Sequence, residues 1–251
     1  MIVANLATYP PREKNLAQVV EAILPQVDMM NIVFNEYGCV PEKYKNTYGI
    51  NPIVPKEDMK DTGKFLPDTS PEDYVLLIDD DIDYPKNYVS EMIYKFNALP
   101  GDNFVAGLYA SIYEKPSPGI GWTAMKRFAA FYLSPRKIAR YRVVFSFNRS
   151  IKFPILVDQL GTGTTILRGE KMPPFDFMRG SQKFVDVRFA RWCFEHNISM
   201  IALPRDSNWL SWEDDEHSIF KKFTVTDPIC VSREIWSFAF KRSSVGKRIY
   251  R

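Results

Sequence analysis

The run Val75-Leu76-Leu77-Ile78-Asp79-Asp80-Asp81-Ile82-Asp83 constrains the fold of this chain more than any other segment. A short apolar stretch of this kind reads as a strand buried on both faces, the habit of parallel sheets covered by helices. The acids that follow cannot enter such a core, so they mark the strand's carboxyl end. In open α/β sheets that edge is where ligands bind.

The neighbouring sequence alternates between strand-like and helix-like patterns, as parallel βαβ units do. Residues 1–7 read as a buried strand. After Pro10-Pro11, Leu16, Val19, Val20, Ile23 and Leu24 recur at helical spacing and form one apolar stripe, ending near Pro25. Residues 30–34, 74–78 and 104–109 supply further strands, and Pro85 suits the first turn of a helix carrying Val89, Met92, Ile93 and Phe96. The stretch 35–73 is rich in Pro, Lys and Asp and reads as a long functional loop. Farther on, strands are expected at 143–147, 164–167 and 198–203, and helices at 123–132, 185–195 and 229–240. The prediction is an α/β fold with a Rossmann-like, mostly parallel central sheet flanked by helices. It is a single domain, 1–228, with a nucleotide-binding half (1–110), an acceptor-binding half (111–228) and an irregular extension, 229–251, of helix and basic tail.

A chain of 251 residues with 45% hydrophobic content can bury such a core. The formal charge of +3 argues against a dedicated nucleic-acid binder. Cys39, Cys193 and Cys230 are far apart and lack metal-ligand spacing, which predicts neither disulfides nor a zinc site. With no basic leader ahead of residue 2 and no apolar window of membrane-spanning length, a cytoplasmic location is expected.

Clustered carboxylates repel one another unless a cation joins them, and an oxygen-preferring ion such as Mg²⁺ or Mn²⁺ is the expected partner. If the chain stays extended after Ile78, Asp79 and Asp81 project to one side and Asp80 to the other. The competing reading is an acidic turn favourable to the next helix.

These residues resemble the inverting GT-A-fold glycosyltransferases of the large family-two-like group, including its capsule and polysaccharide members. The resemblance runs from the first strand to about Arg205. It rests on Leu77-Ile-Asp-Asp-Asp81, similar to that fold's Asp-x-Asp motif, on Ala7-Thr8-Tyr9-Pro10-Pro11-Arg12, similar to its nucleotide-binding first loop, and on Asp61-Thr62-Gly63-Lys64-Phe65, similar to a donor contact upstream. The resemblance implies a nucleotide-diphosphate-sugar donor, with a UDP-sugar the leading expectation, and a glycan or lipid-linked acceptor. It implies that Asp79 contacts the ribose, that Asp81 ligates the metal with Asp79 beside it, and that Thr8, Arg12, Asp61, Lys64 and Asp80 border the donor. It also implies a late carboxylate as acceptor base. Asp186 in Phe184-Val185-Asp186-Val187 occupies that place, although Val185 stands where the family commonly has an acid. Asp186 as a helix N-cap is the plain alternative.

Asp158, just before Gly161-Thr162-Gly163-Thr164, is the reserve base. The resemblance further implies a metal ligand from the C-terminal region, where His217 offers the imidazole; a solvated surface histidine beside acids is the plain alternative. No acid lies between Glu114 and Asp158, while Lys115, Lys126, Arg127, Arg136, Lys137, Arg140, Arg142, Arg149 and Lys152 accumulate among aromatics. This stretch reads first as a solvated basic face; the functional alternative is a site for an anionic glycan or lipid-linked diphosphate acceptor, helped by the tail Lys241, Arg242, Lys247, Arg248 and Arg251 at a membrane surface. Two other enzyme classes fit less well. A dehalogenase-like phosphatase motif would need Thr where Pro85 stands, and a nucleotidyltransferase needs a glycine-rich loop after the first strand. A non-catalytic relative that binds nucleotide or glycan remains as the alternative.

Overall fold

The apolar run becomes an interior strand of an eight-stranded sheet. The computed structural model describes residues 1–116, 121–133, 138–139, 141–212, 229–242 and 245–249. Its strands are β1 (Ile2–Thr8), β2 (Met29–Phe34), β3 (Ile50–Ile53), β4 (Tyr74–Ile78), β5 (Ile82–Asp83), β6 (Phe104–Gly107), β7 (Ala110–Tyr113), β8 (Arg142–Phe145), β9 (Ile155–Val157), β10 (Gln159–Leu160), β11 (Thr164–Arg168), β12 (Ser199–Ala202) and β13 (Ser211–Trp212). The main sheet has the order β3-β2-β1-β4-β11-β6-β12-β9. The first four strands are mutually parallel, as are β6 and β12, whereas β11 runs antiparallel between β4 and β6. This is a mixed α/β fold with a large, mostly parallel central sheet flanked by helices.

Strand β4 shows why the sheet is covered on both sides. Leu76 and Ile78 join one apolar cluster with α1 (Glu13–Ile23) and α3 (Tyr88–Asn97). Val75 and Leu77 point the other way, into a cluster with α6 (Val185–Glu195) and α7 (Ile229–Phe238). All four side chains are fully buried. Truncating any of them to Ala is therefore expected to cost about 2–5 kcal/mol. Helix α1 buries the stripe Leu16, Val19, Val20 and Ile23, as its spacing predicts.

Several expectations are corrected. The stretch 35–73 is not one loop: it contains α2 (Glu42–Lys45), the edge strand β3 and a 3-10 segment at Lys60–Phe65. Pro85 precedes α3 rather than entering it, its carbonyl accepting from the Tyr88 amide. The strand expected over 104–109 breaks after Gly107 and resumes as β7. There, a Cβ on Gly107 would lie 2.9 Å from the Thr164 carbonyl oxygen. The C-terminal part is built into the body of the fold. Helix α7 packs on α6, buries Val231, Ile235 and Phe238, and joins it through the Arg188–Glu234 ion pair. The basic tail is likewise docked, with residues 246–249 exchanging backbone hydrogen bonds with Pro154 and Leu156.

Three asparagines cross the parallel strands in register. The Asn51 amide donates to Asn31 at 2.8 Å, Asn31 donates to Asn5 at 2.7 Å, and Asn5 donates to the Lys64 carbonyl at 3.1 Å. Buried polar groups are tolerated only when paired, and this chain pairs them by tying the 3-10 segment to the sheet. Among the described residues, no helix is long and apolar enough to cross a membrane.

Candidate functional site

Parallel packing of β1, β2 and β4 brings Thr8, Asn35 and Asp79 to the same sheet edge, and β11 returns beside β4 from the turn Gly161–Thr162–Gly163. Together with the 3-10 segment and the start of α6, they enclose a cavity of about 730 Å³. Thr8, Arg12, Asp61, Lys64, Asp79, Asp80, Asp81 and Asp186 all line it.

Asp79 leans on the glycine turn. A Cβ on Gly163 would collide with the Asp79 carboxylate, so only glycine lets that side chain lie where it does. The buried Tyr84 hydroxyl accepts from the Asp79 amide at 3.0 Å and donates to the Gly163 carbonyl at 2.6 Å, fastening the two segments together. Asp79 forms an ion pair with Lys64, whose ammonium is fully buried. Burial alone would lower the Lys64 pKa, but Asp79, Asp186 and Asp61 outweigh it and hold the group charged. Gly63 permits this approach, because a Cβ there would lie 2.9 Å from Val33 and 3.2 Å from Ala7.

The aspartates do not alternate along an extended strand as expected. The chain turns at Asp80 and Asp81 before β5. Asp80 points into the fold and gives both oxygens to partners, Thr8 Oγ1 at 2.7 Å and Arg12 at 2.6 Å. Burial lifts its pKa, with Arg12 and the Thr8 hydroxyl opposing. Asp80 thus holds the end of β1, and Arg12 pairs with Asp80 and, at 3.2 Å, with Asp81. Asp81 differs. Its Oδ1 is buried with no partner among the described residues, and burial followed by the charge of Asp79 pushes its pKa up to about 7.

Asp186 also lines the cavity from the first turn of α6, yet it does not cap that helix. Its Oδ1 accepts from the Thr162 amide at 2.8 Å and the Thr162 hydroxyl at 2.7 Å, across 24 residues. Its pKa is raised, chiefly by burial. Asp61 accepts twice from the Lys183 amide, at 2.8 and 3.0 Å, and burial pushes its pKa up to about 6. Asp158 lies elsewhere. It accepts from the Tyr113 amide at 2.7 Å and borders a small separate cleft with Phe194 and Arg242, so it does not stand in reserve for Asp186. His217 lies outside the described residues.

Does the site fit a divalent ion? Among the described residues no group of three His, Cys, Asp or Glu side chains is arranged to hold one. The unpartnered, buried Asp81 Oδ1 and the half-exposed Asp79 nevertheless suit an ion that takes one or two carboxylates and completes its shell with substrate phosphates and water.

No protein-family model and no curated protein matches the chain. Among solved structures, one described as a mycobacterial protein superimposes with a TM-score of 0.51 at 12% identity, covering 97% of this chain and 76% of its own. The likeness is one of fold. S. aureus TarS (1–349) superimposes with a TM-score of 0.45 at 12% identity, covering 82% of this chain, which spans 58% of the TarS chain.

The cavity also contains residues that the sequence did not single out: Tyr9, Glu36, Asp58, Lys60, Tyr109, Lys183 and Trp212. Glu36, Lys60 and Lys183 have positive φ values of 59°, 48° and 74°. Backbone held in this region costs of order 1–3 kcal/mol per residue and concentrates at ligand sites. No sequence signal marks it, because none of the three is Gly or Asn.

Proposed function

We propose that this chain is a glycosyltransferase that moves a sugar from a nucleotide-diphosphate donor, a UDP-sugar first, to a hydroxyl of a glycan or lipid-linked acceptor with inversion. One observation carries the reading. A single cavity at the carboxyl edge of the sheet is lined by Asp79, Asp81, the Lys64 ammonium and the part-buried Asp186 carboxylate, which lies near enough for Asp79 and Lys64 to act on its charge. Acids gathered around one ammonium suit a ligand that arrives with positive charge of its own, as a metal-bound diphosphate does.

Mn²⁺ or Mg²⁺ held by Asp81 and Asp79 would supply charge that stabilises the departing diphosphate. Lys64, kept protonated by its acidic surroundings, adds fixed positive charge beside that position without having to reorganise. Thr162 orients Asp186 through Oδ1, and the raised pKa makes its carboxylate a better acceptor for the proton of the attacking hydroxyl. Attack from the Asp186 side as the nucleotide departs from the other face gives inversion at the anomeric carbon.

The test is a panel of nucleotide-diphosphate sugars with Mn²⁺ or Mg²⁺, read by release of nucleoside diphosphate and by isothermal titration. Release with one donor class, lost in Asp186→Asn while donor binding persists, is the expected result. Binding without release from any donor would assign a non-catalytic relative, and neither binding nor release would reject the reading altogether.

A further inference from the structure

Helix α4 (Trp122–Leu133) presents an apolar face that nothing among the described residues covers. At 100° per residue, Trp122, Met125, Tyr132 and Leu133 fall on one side, and they are 71%, 58%, 59% and 82% exposed. The opposite side docks through the buried Phe131, whose ring contacts Tyr141, Trp236 and Phe240 at centroid distances of 4.8, 5.5 and 5.5 Å. The helix is thus anchored by one face and leaves its larger side chains in water. Scattered exposed apolar residues need no explanation, but four in one stripe on a short helix do.

We propose that α4 is an interfacial helix that lies on an anionic lipid surface, with Trp122, Met125, Tyr132 and Leu133 among the outer acyl chains and Lys126 on the headgroups. Charge selects this occupant. The helix contains no acid, Lys126 is exposed at the edge of the stripe with its ammonium 5.2 Å from the Trp122 ring, and the whole stretch 115–157 is acid-free. An apolar stripe edged by a cation on an acid-free helix is what an anionic bilayer attracts twice over. Trp and Tyr are also the side chains that settle at headgroup level. A second copy would bring the same positive charge to the same face and be repelled.

The basic tail is the weaker anchor. Lys241 donates to the Ser237 carbonyl, Arg242 donates to the carbonyls of Ile198 and Cys193, and Arg248 stacks near Phe153. Strand β8 leads from Tyr141, which packs against α4, to Ser146 in the cavity wall. Five residues of extended chain separate them, roughly 17 Å. A membrane under α4 therefore lies within reach of an acceptor held by a lipid.

The experiment is co-sedimentation of the full chain with phosphatidylcholine vesicles, with and without roughly one-third phosphatidylglycerol. The parent protein is expected to bind the anionic vesicles at least about tenfold more tightly than the neutral ones. Trp122→Ser with Leu133→Ser should weaken that binding by about tenfold or more. Lys126→Glu should do likewise and weaken its salt dependence. These side chains are exposed, so an unchanged melting temperature checks that each variant is folded. No sugar nucleotide enters the assay, and its result stands apart from the catalytic reading. Equal partition of parent and variants, or no partition into either vesicle, would overturn the proposal. So would a concentration-dependent dimer abolished by the serine pair, which would assign the face to a second copy.

Discussion

Asp80 and Asp81 are adjacent in sequence, share Arg12, and line the same cavity, yet they are held in opposite ways. The Asp80 side chain is 3% exposed and has both oxygens satisfied by Arg12 and Thr8. The Asp81 side chain is 20% exposed, keeps one oxygen unpartnered, and shares its surroundings with Asp79. The first closes the end of β1 against the turn after β4. The second is left with electrostatic repulsion that an incoming cation, or a proton, relieves. Motif spacing alone treats the three aspartates as equals, and packing is what separates them into a fastener and a receptor.

Substitutions at the two positions should pull activity and stability apart. The largest effect is expected for Asp81→Asn, with a drop of at least about a hundredfold in diphosphate release at saturating Mn²⁺. If Asp81→Asn turns over at the parental rate, the receptor assignment fails. Asp80→Asn should instead appear in urea denaturation, at about 3 kcal/mol, since breaking a buried pair strands the remaining cation. Loss of activity there should track loss of fold.

Asp81→Asn should also stabilise the metal-free protein, in a pH-dependent way. A carboxyl with a folded pKa of about 7 against an ordinary 3.8 binds more protons when folded, so its contribution is fully present below about pH 4 and is lost as pH rises through 7. Asparagine does not ionise. The variant should therefore melt at the parental temperature near pH 4 and a few degrees higher at pH 8. Identical melting curves at both pH values would mean that the two aspartates share one environment. The smallest effect is expected for Gly163→Ala, whose methyl displaces Asp79. A fall in turnover of roughly tenfold with little change in the urea midpoint would place the open half of the site on the glycine turn.

Much of this was legible where periodicity and burial agree. The stripe of α1, the span of α6 and the abrupt end of β4 follow from which residues can enter a core. Strand β3 was hidden because Asn51 and Pro52 interrupt its apolar pattern, which an edge position tolerates. The linkages that shape the cavity were not legible, since each joins distant segments: Tyr84 to Gly163, Thr162 to Asp186, and Asp61 to Lys183. Asp158 misled by proximity to the glycine turn, because β10 turns its carboxylate toward Tyr113 instead. The expectation that Asp186 merely caps a helix failed for the same reason, a partner 24 residues away.

The row of asparagines has a direction. Each carboxamide gives its hydrogens toward Asn5 and takes them from the edge, so the amide dipoles of Asn51, Asn31 and Asn5 add head to tail and finish on the carbonyl of Lys64. Reversing one would set donor against donor at its neighbour. The buried lysine is thus registered to a strand on the far edge of the sheet, and a change at Asn51 should be felt at the ammonium without any contact between the two.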